Sequence, residues 1–245
     1  MSDWLRVGRL GITGYALWMM LAGARKTMLQ VKICGITKVE QGLAIAQAGA
    51  TALGYICTTK SPRYIAPESI APITTAVHEQ FPTVQHFGVF VNEGVASMVA
   101  IARSAHLTVL QLHGDETPAL CQLLRDALDL SDLSKVQIVK ALRIRSTEDL
   151  DEARQYAPHV NLLLLDAYHP DQLGGTGTTL DWRSLKAFSP SCPWFLAGGL
   201  SPDNILTALS QLSPNGIDLS SGVERSPGDK DMAKVGQLFD QLANL

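Results

Sequence analysis

The stretch "VKICGIT", Val31 to Thr37, alternates Val31 and Ile33 with Lys32 and Cys34 and then breaks at Gly35. An alternation of period two is the signature of a β-strand, because successive side chains point to opposite faces. Lys32 and Cys34 therefore share one face, and the thiol stands at the strand's end. Val31 and Ile33 share the other face and need an apolar layer to cover them. A strand with two occupied faces belongs to a sheet buried on both sides, which is the habit of parallel sheets.

The same reading recurs along the chain. β-rich runs are expected at Gln30–Cys34, Ala52–Cys57, His86–Val91, Val109–His113, Gln137–Leu142, Val160–Asp166, Trp194–Ala197 and Gly216–Ser220. Between them lie segments such as "KVEQGLAIAQAGA", "EGVASMVAIARSA", "TPALCQLLRDAL" and "TEDLDEARQYA", whose apolar residues recur at helical spacing. Thr117 and Ser146 stand where a helix N-cap is expected, and Ser201 with Pro202 reads as a cap followed by a first-turn proline. Strands alternating with crossover helices run parallel. An open doubly wound sheet and a closed (β/α)8 barrel both satisfy this. Eight repeats, no second domain and no G-x-G-x-x-G after the first strand favour a single α/β domain, a (β/α)8 TIM barrel over residues 29–245.

Residues 1–28 are expected to form an N-terminal extension outside that barrel. Their apolar run, Leu10 to Ala24, follows Arg6 and Arg9 and resembles a signal peptide, but Gly11 and Gly14 interrupt it. At 15 residues it is shorter than the ~20 a spanning helix requires. A start at Met28 is the other reading of this prefix.

Composition narrows the function classes. The 245 residues are 46% hydrophobic and 18% charged, with a formal net charge of −3. That balance suits a large core and lacks the basic footprint of a nucleic-acid binder. The four cysteines, Cys34, Cys57, Cys121 and Cys192, form no C-x-x-C pair, so neither a disulfide framework nor a zinc site is expected. Cys57, Cys121 and Cys192 read as small buried hydrophobes, and unpaired thiols suit a cytoplasmic location. No metal, nucleic-acid or stable membrane partner is expected.

In a barrel of this kind the chemistry sits at the C-terminal ends of the strands. Cys34 ends the first strand. A thiol there can act as a base if a positive neighbour lowers its pKa from about 8.5, and Lys32 is at hand; the plain alternative is filler. Lys32 has the same inward parity as Asp218 on the last strand, which closes the barrel beside the first, so a buried Lys32–Asp218 pair is expected. Asp166 ends "NLLLLD", where apolar neighbours raise a carboxyl pKa and suit a general acid; a cap or a loop ion pair is the alternative. Arg63 lies between Pro62 and Pro67 in "TKSPRYIAPE", a stiff loop that can present a guanidinium to a carboxylate. Glycines cluster in "GGTGTT", "AGGL" and "SSGVERSPGDKD" after strands six, seven and eight. Backbone amides of the last two loops are a common phosphate site, although tight turns alone also use glycine.

These motifs, in order, resemble the phosphoribosylanthranilate isomerase family of tryptophan biosynthesis. They are "KICGIT", "SPRYI", "GVFVNE", "QLHGDE", "LLDA", "GGTG", "LAGGLSPDN" and "DLSSGVERSPGDKD", spread over residues 29–245. The resemblance implies an Amadori rearrangement of N-(5-phosphoribosyl)anthranilate, a small phosphosugar, without cofactor. It makes Cys34 the general base, Asp166 the general acid and Arg63 the holder of the anthranilate carboxylate. It puts the phosphate near Gly199, Ser221 and Gly222, with Gly175 and Gly177 nearby, and His113 behind the site. It implies a monomer or homodimer. The segment Ile56–Thr59 departs from the family's usual aromatic before "SPR". Two other readings fit parts of this pattern. The related histidine-pathway isomerases would place an aspartate where Cys34 stands, and a silent ligand-binding barrel would not need Cys34, Asp166 and Arg63 together.

Overall fold

Eight short strands close into one parallel barrel in the order β1 to β8, with β8 hydrogen-bonded back to β1. The structure is a computed structural model and describes residues 29–167 and 185–245. The elements run β1 (Gln30–Cys34), α1 (Val39–Gln47), β2 (Ala52–Ile56), α2 (Pro67–Gln80), β3 (Gln85–Phe90), α3 (Val95–Ser104), β4 (Val109–Leu112) and α4 (Pro118–Asp129). They continue with β5 (Gln137–Ile144), α5 (Thr147–Tyr156), β6 (Leu162–Ala167), β7 (Trp194–Ala197), α6 (Ile205–Gln211) and β8 (Gly216–Leu219). A single 3-10 turn (Ser221–Val223), a hairpin of β9 (Glu224–Ser226) and β10 (Asp229–Lys230), and α7 (Met232–Leu242) complete the described chain.

The (β/α)8 architecture expected from the strand repeat is therefore the one observed. Period-two alternation splits each strand between two cores. Val31, Ile33, Leu53, Leu163, Leu165 and Ile217 face the helices and join the large outer core. Phe87, Val109, Val139, Leu162, Leu164 and Phe195 fill the barrel. Leu164 is fully buried, so Leu164→Ala would cost ~2–5 kcal/mol through lost transfer energy and a residual cavity. The interior is fitted by size: a Cβ on Gly216 would come within 2.4 Å of the Phe195 ring.

Strand ends differ from expectation by one to two residues. β5 runs on to Ile144, because Arg143 and Ile144 pair with Asp166 and Ala167 and extend the ladder. β6 begins at Leu162 rather than Val160, and β2 stops at Ile56. Thr117 caps α4 by accepting from the Leu120 N–H at 3.3 Å. Ser146 caps α5 in a reciprocal box with Asp149. Ser201 does not cap a helix. Its N–H donates to the Asn204 side chain at 2.9 Å in a turn, and α6 starts later at Ile205 with Asn204 at the cap position. Asn204 also donates to the Gly199 carbonyl, so the turn competes successfully with the first helical turn.

Cys121 is buried as expected, whereas Cys57 and Cys192 are only half-buried and pack against the outer core. The expectations for residues 1–28, Gly175 and Gly177 lie outside the described residues. Among those described, no helix is long and apolar enough to cross a membrane.

Candidate active site

The upper rim of the barrel gathers polar groups from strands whose lower halves are apolar. Cys34 and Asp166 take inward parity, as do Lys32, Asp218 and Gln111 beneath them. The buried pair expected from parity is present: Lys32 Nζ donates to Asp218 Oδ1 at 2.9 Å, and the two residues are direct register partners. Lys32 is fully buried. Burial works against its charge, but Asp218 and Cys34 outweigh burial and raise its pKa. The interior cation is thus held protonated directly below the thiol. A Cβ on Gly54 would sit 2.7 Å from Cys34 Sγ and 3.1 Å from Lys32 Nζ, which locates both groups beside the same backbone atom.

Burial, with Asp218 adding to it, holds the Cys34 thiol above its ordinary value; Lys32 and Lys230 pull the other way without cancelling that rise, so the lowered thiol pKa expected from the sequence is not what the structure gives. Burial likewise raises the Asp166 carboxyl, against the pull of Arg143, its register partner on β5. A carboxyl raised toward neutrality is suited to giving a proton, and Cys34, once ionised beside the fixed Lys32 ammonium, is suited to taking one. Both groups stand at strand ends three strands apart around a closed barrel, with a mouth between them.

Arg63 leans over the strand-one glycine. A Cβ on Gly35 would meet Arg63 Cδ at 2.8 Å, and Gly35 has φ +83°, so this position requires glycine twice over. The guanidinium is not a lone surface group. Its Nε and Nη2 bind both oxygens of Glu224, at 3.0, 3.0 and 2.7 Å. Glu224 in turn receives Lys230 Nζ at 2.7 Å, and Lys230 also donates to the Cys34 carbonyl. Burial would raise the Glu224 pKa, but the hydrogen bonds from Arg63 and Lys230 win and lower it.

The loops after β7 and β8 meet. A Cβ on Gly222 would fall 1.9 Å from the Leu200 carbonyl oxygen, so only glycine permits this contact. Gly199 is exposed beside it with φ +62°, and Ser221 is exposed at the start of the 3-10 turn. Ser220 Oγ donates to the Cys34 carbonyl at 3.1 Å and ties this loop to β1. Gly199, Ser221 and Gly222 thus lie on adjoining loops at the rim.

His113 is drawn in behind the rim, with Nδ1 3.1 Å from Gln111 Nε2. Burial, with Lys32, Lys140 and Arg143 adding to it, lowers its pKa to about 4, so it is neutral at physiological pH.

A family model described as N-(5'phosphoribosyl)anthranilate isomerase matches residues 31–241. The chain belongs to this family. It is 55% identical over 216 residues to the N-(5'-phosphoribosyl)anthranilate isomerase of Nostoc punctiforme, covering 88% of this chain and 99% of that one. It is also 55% identical to the enzyme of the same name from Synechococcus elongatus, covering 88% of this chain and 96% of that one. The crystal structure of phosphoribosyl anthranilate isomerase from Thermotoga maritima superposes with a TM-score of 0.76 at 34% identity, covering 89% and 100% of the two chains. A second matched structure, at 32% identity and TM-score 0.73 over 89% and 100% of the two chains, is the isomerase in complex with reduced 1-(o-carboxyphenylamino)-1-deoxyribulose 5-phosphate.

Sequence reasoning missed Glu224, Lys230 and a second buried pair, Lys140 with Glu116 at 2.8 Å. Lys140 carried a readable signal. It lies between Val139 and Ala141, which face the barrel, so it must point into the helix layer and find an anion there.

Proposed function

We propose that this chain isomerises N-(5'-phosphoribosyl)anthranilate to 1-(2-carboxyphenylamino)-1-deoxyribulose 5-phosphate, with Asp166 as acid and Cys34 as base. The observation that carries the assignment of roles is the placement of these two groups at inward strand ends of one barrel mouth, the carboxyl raised by burial and the thiol beside a buried ammonium. Asp166 gives its proton to the ribose ring oxygen as the C1′–O bond breaks. The anthranilate nitrogen lone pair fills the vacancy, leaving a protonated Schiff base. That cation acidifies the C2′–H, and Cys34 removes the proton. The enolamine then tautomerises to the aminoketose. The substrate's own nitrogen is the electron sink of this sequence.

Arg63 is assigned to the anthranilate carboxylate because its stem crosses Gly35, next to the base. The adjoining loops at Gly199, Ser221 and Gly222 are assigned to the phosphate, where exposed backbone groups and glycine-only contacts leave room for an anion. Gly175 and Gly177 are assigned to the same subsite from the sequence alone. Residues 1–28 are proposed to lie outside the barrel, which closes from Gln30 onward. A cytoplasmic location is inferred from four free cysteines. A matched Thermotoga maritima structure is of monomers generated from a dimeric isomerase, and a monomer or homodimer is the expected state here.

The test is turnover of freshly prepared N-(5'-phosphoribosyl)anthranilate by the full chain, followed by loss of anthranilate-type fluorescence. Cys34→Ser and Asp166→Asn should each lower kcat by about 10²–10⁴-fold with the fold intact. A loss below about tenfold for either variant would remove that residue from acid or base duty.

A further inference from the structure

One chain of charged contacts runs from the backbone of the base to the mouth of the barrel. Lys230 Nζ binds the Cys34 carbonyl on β1 and Glu224 Oε1, at 2.7 Å for the latter. Glu224 grips Nε and Nη2 of Arg63. The Gly228 N–H adds a further bond to Glu224 Oε1 at 3.1 Å. Exposure rises along the chain: the side chains of Lys230, Glu224 and Arg63 are 0%, 4% and 23% accessible. Two cations thus share one carboxylate. The unmatched positive charge belongs to the arginine, at the exposed end, where Nη1 has no hydrogen-bond partner among the described residues.

A plain structural ion pair would need only Arg63 and Glu224, and it would be neutral. Burying Lys230 completely beside it is expensive unless the ammonium is paired and hydrogen-bonded. Here it is both, with the Cys34 and Ser220 carbonyls as further acceptors. Gly35 is what lets the group assemble, since a Cβ there would press on Arg63 Cδ at 2.8 Å and approach Lys230 Nζ at 3.4 Å.

We propose that Glu224 is a positioning residue that aims Arg63 at the substrate carboxylate, and that Lys230 neutralises Glu224 so that Arg63 keeps a net positive charge for it. This rests on the assignment of Arg63 to that carboxylate. Without Lys230, the Glu224 charge competes with the incoming anion. Without the Glu224 charge, the guanidinium is loosened on its flexible stem and loses its fixed fork.

The test is steady-state kinetics of the full chain and of Arg63→Met, Glu224→Gln, Lys230→Met and the Arg63→Met/Glu224→Gln double variant. Two substrates are compared, N-(5'-phosphoribosyl)anthranilate and N-(5'-phosphoribosyl)aniline, which lacks the carboxylate. Glu224→Gln should raise KM for the anthranilate about tenfold with kcat within about twofold; Lys230→Met should raise KM by a similar factor and also lower kcat, because Lys230 acts on Cys34 as well. The double variant should be no worse than Arg63→Met alone. On the aniline substrate these KM differences should vanish. Additive effects in the double variant, or equal rises in KM on both substrates, overturn the proposal. An unchanged KM in Arg63→Met overturns the assignment of Arg63 itself. A raised KM in Arg63→Met beside an unchanged one in Glu224→Gln overturns only the positioning role. Should Glu224→Gln fail to fold, Glu224→Asp keeps the charge but withdraws it, and an unchanged KM there is equally fatal.

Discussion

Of the buried lysine–carboxylate pairs, two carry their lysine on a barrel strand and lie on opposite sides of the same wall. Lys32 and Asp218 point inward and touch at 2.9 Å; Lys140 and Glu116 point outward and touch at 2.8 Å. Both ammonium groups are almost completely inaccessible, and each also lies over an aromatic ring, Phe87 for Lys32 and Tyr156 for Lys140. Their surroundings part them. Glu116 accepts from the backbone N–H of Asn92 at 2.7 Å and of Gly114 at 2.8 Å, and Lys140 donates to the Gly114 carbonyl at 2.5 Å. That pair laces the loops after β3 and β4 to β5 and spends its charge on backbone. The inner pair makes one mutual bond, and both its members act on Cys34, which lies above it, Lys32 favouring the thiolate and Asp218 opposing it. Identical chemistry serves cohesion in one place and, on the proposed role of Cys34, proton transfer in the other, according to what the second face of each charge meets.

The comparison can be broken at several points. The largest effect is expected on catalysis. Lys32→Met should lower kcat about 100-fold and move the ionisation of Cys34 to higher pH, because the cation that favours the thiolate is gone. A pH–rate profile reads both. Lys140→Met should change kcat far less and leave that profile in place; a comparable shift would erase the distinction.

Stability comes next. Removing one partner of either pair leaves a buried charge alone, so Lys32→Met and Lys140→Met should each cost about 3–5 kcal/mol in denaturant unfolding. Pairing Lys32→Met with Asp218→Leu should recover most of that stability while activity stays lost, because a buried pair can be replaced by apolar packing but its field at Cys34 cannot. Simple additivity of the two single losses would count against a coupled pair.

Acid unfolding separates the outer pair further. Burial alone would raise the Glu116 pKa, but its hydrogen bonds from Lys140 and the Asn92 N–H lower it below the ordinary 4.5. The unfolded chain therefore takes up this proton first as pH falls. The contribution of Glu116 is complete above about pH 4.5 and is lost as pH drops through the lower folded value. Lys140→Met should flatten that acid limb, and denaturation midpoints between pH 6 and 3 would show whether it does. The smallest effect belongs to Thr117, which follows Glu116 and caps α4. Thr117→Ala should lower stability by about 1 kcal/mol without touching kcat or the acid limb.

Much of this architecture was legible in the residue order. Strand positions came from alternation, since an apolar residue on every second position must face a layer. Parity then placed Cys34, Asp166, Lys32 and Asp218 on the inner face. The Lys32–Asp218 contact followed as soon as closure of the barrel set β8 beside β1, although 186 positions separate the two residues. Turn chemistry was harder. "SPDN" satisfies a capping pattern, yet Asn204 draws the Ser201 N–H into a tighter turn and delays α6.

What the sequence determined by itself was the set of strands, their facing and which polar side chains point into the barrel, because these depend on periodicity and side-chain chemistry along a few neighbouring residues. What tertiary structure alone decided was which loop charges meet. Arg63, in an irregular loop, and Glu224, at the start of the three-residue strand β9, lie 161 positions apart, where no sustained period predicts direction. Their pairing with each other and with Lys230 depends on two loops folding over Gly35 in three dimensions, a contact set by backbone paths rather than by any local pattern.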